Sequence, residues 1–193
     1  MVGQIGPLVQ VGRRRTALGL HVLGGIAGGA TIGVLLGFAG LLLRAALGDA
    51  LDTVFLVVVP AALVYAAAAD LGLLRVRQLT SERQTPSSWP CSLGHYPGIF
   101  AWGFDLGLAV STRIPYQSLL VLPLAAVLSG NLAAAVVIMA TYGAARSLAV
   151  VVAVSTARGD FADACDAMQA QLFSLKRAVG AAALVLAALI VVF

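Results

Sequence analysis

Apolar residues fill this chain in long runs, separated by a few short clusters of polar ones. The first run extends from Thr16 to about Leu43, and a second covers about 53–74 with Pro60 inside it. A polar segment at 75–96 follows, holding Arg75, Arg77, Glu82 and Arg83 among Gln, Thr, Ser and Pro. Apolar runs resume at about 98–113, 116–130, 132–155 and 178–193, with Ser129, Gly130 and Asn131 marking a tight turn. Runs of about 20 apolar residues match the hydrocarbon thickness of a bilayer. The pattern therefore predicts an all-α fold: one polytopic membrane helix bundle over residues 1–193, with about six transmembrane helices at 17–43, 53–74, 98–113, 116–130, 132–155 and 178–193. Five spans, with the third or fourth stretch re-entrant, is the competing count.

Between 156 and 175, Arg158, Asp160, Asp163 and Asp166 are followed by Phe161, Met168, Leu172 and Phe173 at near-helical spacing. This predicts an amphipathic interfacial helix. The final run has 16 residues after Lys176 and Arg177. That is short for about 30 Å of hydrocarbon, so the span starts before Lys176, with its side chain snorkelling, or thins the bilayer.

Composition agrees. Of 193 residues, 61% are hydrophobic and 10% charged, and the mean hydropathy is +1.00. A soluble domain carries about 25% charged residues, so this chain cannot cover a water-facing surface. The 21 glycines suit helices that approach closely. The net charge of +4 comes largely from Arg13, Arg14 and Arg15 and from Arg75, Arg77 and Arg83. Beside apolar spans such clusters mark the cytoplasmic face and do not point to nucleic acid. The N-terminus and the 75–96 loop are then cytoplasmic and the 44–52 loop is outside. Arg113 and the Lys176–Arg177 pair weigh the other way. Arg13 to Arg15 before an apolar run also resembles a twin-arginine signal, but the run is longer than the 7–15 residues of a cleavable one, so it is read as a retained span.

Few polar residues remain inside the runs, and these are the functional candidates, because an ionisable group in hydrocarbon is expensive and usually faces a partner or a pathway. Asp105 follows Trp102, Gly103 and Phe104. Thr112 and Arg113 lie about two turns on, and Pro115 interrupts the helix there. Asp105, Thr112, Arg113, Pro115 and Arg146 are the candidates for a transport or polar pathway. A structural pairing of Asp105 with another helix, with Arg146 as partner, is the plainer alternative. In the first run Gly24/Gly28, Gly25/Gly29, Gly29/Gly33 and Gly33/Gly37 are each four apart and form contiguous stripes. Close helix packing explains them; a broken helix lining a transport site is the functional version. Cys91 and His95 could share a soft metal, but two ligands make an incomplete site and Pro90, Gly94 and Pro97 oppose a regular helix. His21 is expected at the interface. Cys91 and Cys165 are the redox candidates, and on the six-span topology they lie on opposite sides. No phosphate loop, dinucleotide fingerprint or hydrolase triad is present, and no cofactor is implied.

Pro90–Cys91, the glycine-rich runs and the proline-broken segments resemble the transmembrane electron-transfer family of cytochrome c biogenesis and the DsbD membrane domain, grouped with LysE-type exporters. Arg83, Gln84, Pro86 and Trp89, followed by Gly103 to Gly107 and Thr112 to Pro115, look like small actinobacterial membrane proteins of that superfamily. The resemblance implies an inverted three-plus-three repeat and electron passage through a cysteine in each of two broken helices. Here the first span has no cysteine, Cys91 precedes the third span, and Cys165 lies in a polar segment. The resulting expectation is a small carrier or thiol-redox conduit in the cell membrane. The alternative is a non-catalytic subunit packing through its glycine faces against other membrane proteins, with the lipid bilayer and further subunits or a second copy as partners.

Overall fold

The computed structural model describes residues 14–74, 93–109, 116–156 and 161–192, with side chains over 15–74, 93–109, 116–152 and 176–191. The described residues are all helical apart from turns. Six α-helices follow in order: α1 (Arg14–Leu47), α2 (Ala50–Asp70), α3 (His95–Gly107), α4 (Val121–Leu128), α5 (Leu132–Thr156) and α6 (Phe161–Val192). A 3-10 turn, Gln117–Leu120, leads into α4. Three stretches are long and apolar enough to cross a membrane: Arg15–Leu47, Ala50–Asp70 and Leu132–Val152. The segments read from sequence as an interfacial helix and a short final span lie on one helix, α6, which continues well before Lys176.

The chain divides into two compact units, each assembled from separated segments. One comprises residues 1–32, 80–113 and 139–170; the other comprises 33–79, 114–138 and 171–193.

The second unit centres on α2. Its core is Leu51, Val59, Leu63, Ala66 and Ala67 of α2, Val121, Ala125 and Leu128 of α4, and Ala183 and Ala187 of α6. Alanines and a glycine set the spacing, with Gly180 of α6 lying against Leu71 and the Ala67 carbonyl. The C-terminus of α2 closes through Gly72 at φ +83°, a left-handed geometry that glycine adopts without penalty. Gly72 N–H donates to Ala69 O (3.1 Å) and Leu73 N–H to Ala68 O (2.9 Å), which satisfies two carbonyls the helix leaves open.

One buried carboxylate fixes the pairing of α2 with the 117–128 stretch. Asp70, 3% exposed, accepts from Gln117 N–H (2.9 Å), Ser118 N–H (2.9 Å) and Ser118 Oγ (2.7 Å). The first amide groups of a helical segment have no partner within it and carry partial positive charge, so an acceptor from a neighbouring helix stabilises them doubly. At the other end of the same pair, the Ser129–Asn131 turn meets the turn between α1 and α2. A Cβ on Gly130 (φ +57°) would collide with Arg44 and Leu51, and Arg44 is ion-paired with Asp52. Asn131 Oδ1 accepts from Ala134 N–H (3.1 Å) and caps α5. Asp70 with Ser118 at one end and Leu51 with Gly130 at the other make α2 and α4 antiparallel. The 44–52 and 129–131 turns thus share one end of this unit.

Asp70→Ala removes three hydrogen bonds from a buried helix start and should destabilise the detergent-solubilised protein by about 2 kcal/mol, with Asp70→Asn intermediate. Thermal unfolding of the three proteins checks this; equal midpoints would show that the 117–128 stretch is held by apolar packing alone.

Candidate polar site on a glycine seam

In the first unit the glycines of α1 are the packing surface. Gly24 and Gly28 lie against the backbone of Phe100 and Phe104 in α3, and Gly25 and Gly29 lie against Gly143, Ser147 and Met139 in α5. The partners reciprocate: a Cβ on Gly103 would meet His21 O and Gly25 N, one on Gly107 would meet Gly25 and Gly29, and one on Gly143 would meet Gly25. As α1 advances from His21 to Gly29, its α3 contacts advance from Gly103 to Gly107 while its α5 contacts fall back from Ser147 to Met139. Helix α3 therefore runs parallel to this part of α1, and α5 runs antiparallel. At most of these positions a Cβ would strike another helix's main chain, so only glycine permits the approach. The stripes read from sequence as packing surfaces serve as such.

Close backbones leave polar side chains little room, yet this seam carries several. His21 and Ser147 are fully buried, Tyr142 is 3% exposed and Asp105 is 8% exposed. The ring of His21 packs on Trp102, with centroids 4.6 Å apart and planes tilted by 41°. This burial has a plain cause. Gly103 lets α3 approach the backbone at His21, so the ring is covered by Trp102 from the same helix. An apolar layer of Ala17 and Ile99, with Leu18, Leu20, Trp102 and Val150 around it, packs beside this layer. Neither imidazole nitrogen completes a hydrogen bond, although the Ile99 backbone is close, and Ser147 Oγ is likewise unpartnered.

Arg146 provides the second feature. Its Nη1 donates to Tyr142 Oη (3.0 Å) and to Leu106 O (3.3 Å), and its Cζ lies 5.6 Å from the centre of the Tyr142 ring. Leu106 O is among the last carbonyls of α3, which no later amide of that helix can satisfy. A guanidinium there meets both the open acceptor and the negative end of the helix. Asp105 adjoins Leu106, so two of the sequence candidates, Asp105 and Arg146, converge on the end of α3. Both have interaction partners. Just beyond, Ala109 has φ +62°, a left-handed conformation that costs a residue with a Cβ about 1–2 kcal/mol.

Thr112, Arg113, Pro115 and Cys91 lie outside the described residues, and Cys165 is on α6 with its side chain outside them. His95 opens α3, and its ring meets Tyr96 edge-on at 5.6 Å. Among the described residues, no group of three or more His, Cys, Asp and Glu could hold a metal ion. Ser147 and Tyr142 were not singled out from sequence. The signal available for Ser147 was its place four residues after Gly143, which continues the small-residue stripe.

Comparison of the chain with protein-family models, curated proteins and solved structures finds no match. The resemblance to the DsbD and LysE-like superfamily therefore stays an expectation.

The seam makes a prediction with opposite signs at two glycines of one helix. Gly29→Ala sets a methyl against the Met139 carbonyl and should cost about 1–3 kcal/mol. Gly19→Ala has nothing within 4 Å and should gain up to about 1 kcal/mol from helix propensity. Thermal melts that shift in the same direction would contradict the packing account.

Proposed function

We propose that this chain is a small multi-pass carrier of the cell membrane, moving a proton or small cation along the α1–α3–α5 seam. The supporting observation is the gathering of His21, Asp105, Tyr142, Arg146 and Ser147 on three close-packed helices, two of them apolar enough to cross a bilayer. Buried polar groups in such helices are costly and mark function by default. The conduit version rests on Cys91 and Cys165, about which the described side chains say nothing, so the carrier version is the one pursued. The subunit alternative needs free glycine faces for its partners. The seam argues against it, because Gly24, Gly25, Gly28 and Gly29 are already occupied by α3 and α5.

The carrier has five crossings in this reading. Because the 44–52 and 129–131 turns share one end of their unit, residues between them cross the bilayer an even number of times. In this reading α2 makes one crossing and residues 71–128 supply one more, which favours the five-span count over six. Charge supports this count independently. With the N-terminus cytoplasmic, five crossings put Arg158, Lys176 and Arg177 on the cytoplasmic side, where basic residues concentrate, whereas six put them outside. Five crossings also leave no even division into a three-plus-three repeat.

Two experiments bear on this. In a Cys91→Ser/Cys165→Ser background, cysteines placed at Asp49 and Asn131 should react with a membrane-impermeant maleimide from the same side of sealed vesicles. Labelling from opposite sides would return the count to six. For transport, everted vesicles carrying a respiration-driven proton gradient are challenged with sodium, potassium, lysine or arginine. At least one cation should dissipate the gradient above the empty-vector level, and Asp105→Asn should abolish that response while the protein still melts normally. A wild-type protein inert to all four, and recovered at fixed ratio with other membrane polypeptides, would favour the subunit reading.

A further inference from the structure

The polar seam contains one pair that the packing does not explain. His21 and Ser147 are both at zero exposure, and neither side chain completes a hydrogen bond of ordinary geometry, although the Ile99 backbone adjoins the imidazole. Structural polar groups at such depth are nearly always satisfied, since leaving one unsatisfied costs about 1–3 kcal/mol. A neutral imidazole has one lone pair and one N–H to offer, and a hydroxyl has a rotating donor and two acceptor positions. The two belong to one neighbourhood. Gly25 is one turn after His21 on α1, a Cβ placed on it would meet Ser147 Oγ, and Cβ positions four residues apart are about 6 Å from each other. Ser147 Oγ is therefore within about 8 Å of the His21 Cβ.

We infer that His21, with Ser147 beside it, is a proton-binding site of this protein. The imidazole lone pair takes up a proton to give the imidazolium, which later returns it, and the dipole of the unpartnered Ser147 hydroxyl in the same neighbourhood reorients with the charge on the ring. The packing selects the occupant. Gly25, Gly103, Gly107 and Gly143 hold the three backbones in contact, which suits a proton and leaves little room for a solute. Among the described side chains, the other titratable and charged groups on the elements packed around the ring are His95, Tyr96 and Asp105 on α3, Tyr142 and Arg146 on α5, and Arg15 and Arg44 on α1 itself. Arg146 is turned to Tyr142 and the end of α3. Trp102, stacked on His21, is a built-in reporter. The inference draws its purpose from the carrier reading, but its test reads protonation without any transport.

The chain has two histidines and two tryptophans, so His95→Gln and Trp89→Phe together leave His21 and Trp102 as the only ones. In this doubly substituted full chain, reconstituted in liposomes, the ring nitrogens of His21 are followed by nitrogen-15 NMR as pH is varied. The expected result is one titration with its midpoint between about pH 4 and 8, accompanied by loss of Trp102 fluorescence at the same midpoint, as the stacked ring becomes cationic. Ser147→Ala should move that midpoint, and His21→Gln should abolish the fluorescence transition. A ring that stays neutral across the range, or a midpoint indifferent to Ser147→Ala, overturns the assignment and leaves His21 as a packing residue. A protein that transports none of the cations above but whose His21 titrates as described leaves the proton site standing and defeats only the carrier reading.

Discussion

Backbone contact at glycine is the constraint on which the first unit depends. Each seam glycine forgoes about 0.5–1 kcal/mol of helix propensity relative to alanine, and that sacrifice makes sense only where a methyl group would push two helices apart. At Gly24, Gly28, Gly29, Gly103, Gly107 and Gly143 a Cβ would strike main-chain atoms, which cannot rotate away. The glycines thus fix the separations of α1 from α3 and from α5, and with them the depth at which every nearby side chain is buried. His21 is covered because Gly103 is not an alanine. Ser147 is covered because Gly25 leaves space for its hydroxyl.

Against that apolar, close-packed background each polar group is informative. Two of the satisfied groups do architectural work at helix ends. Asp70 collects the first amides of the 117–128 stretch, and Arg146 collects a last carbonyl of α3. Both use the same rule, a side-chain charge set against the oppositely polarised end of a helix, with the signs reversed. His21 and Ser147 follow no such rule. The distinction between satisfied and unsatisfied polar groups cannot be drawn from residue type alone.

Much of the helical pattern was legible in the chain, because hydropathy and helix-breaking residues act locally. The runs beginning near Thr16, Asp52 and Leu132 became α1, α2 and α5 with ends moved by a few residues. The stripes Gly24/Gly28 and Gly25/Gly29 announced packing faces. Asp105 and Arg146 stood out as charges within apolar runs, and they converge on the end of α3. Less legible were the places where an element's role depends on a distant neighbour. Asp70 ends α2, yet it anchors a segment 47 and 48 positions away. The burial of His21 was not legible, since near the start of a helix it depends on what packs beside it.

By itself the sequence determined an all-helical fold with apolar runs long enough to cross a bilayer, and that few polar residues lie within those runs. Each of these is a sum over neighbouring residues, so composition and period suffice. Only the tertiary structure decided which helix faces meet, in which direction they run, and which polar atoms are satisfied. It set α3 parallel and α5 antiparallel to the first part of α1, and it brought the 44–52 and 129–131 turns to one end of their unit. Those outcomes come from contacts between residues far apart in the chain, where a single missing methyl at Gly25 or Gly103 determines how near two backbones can come.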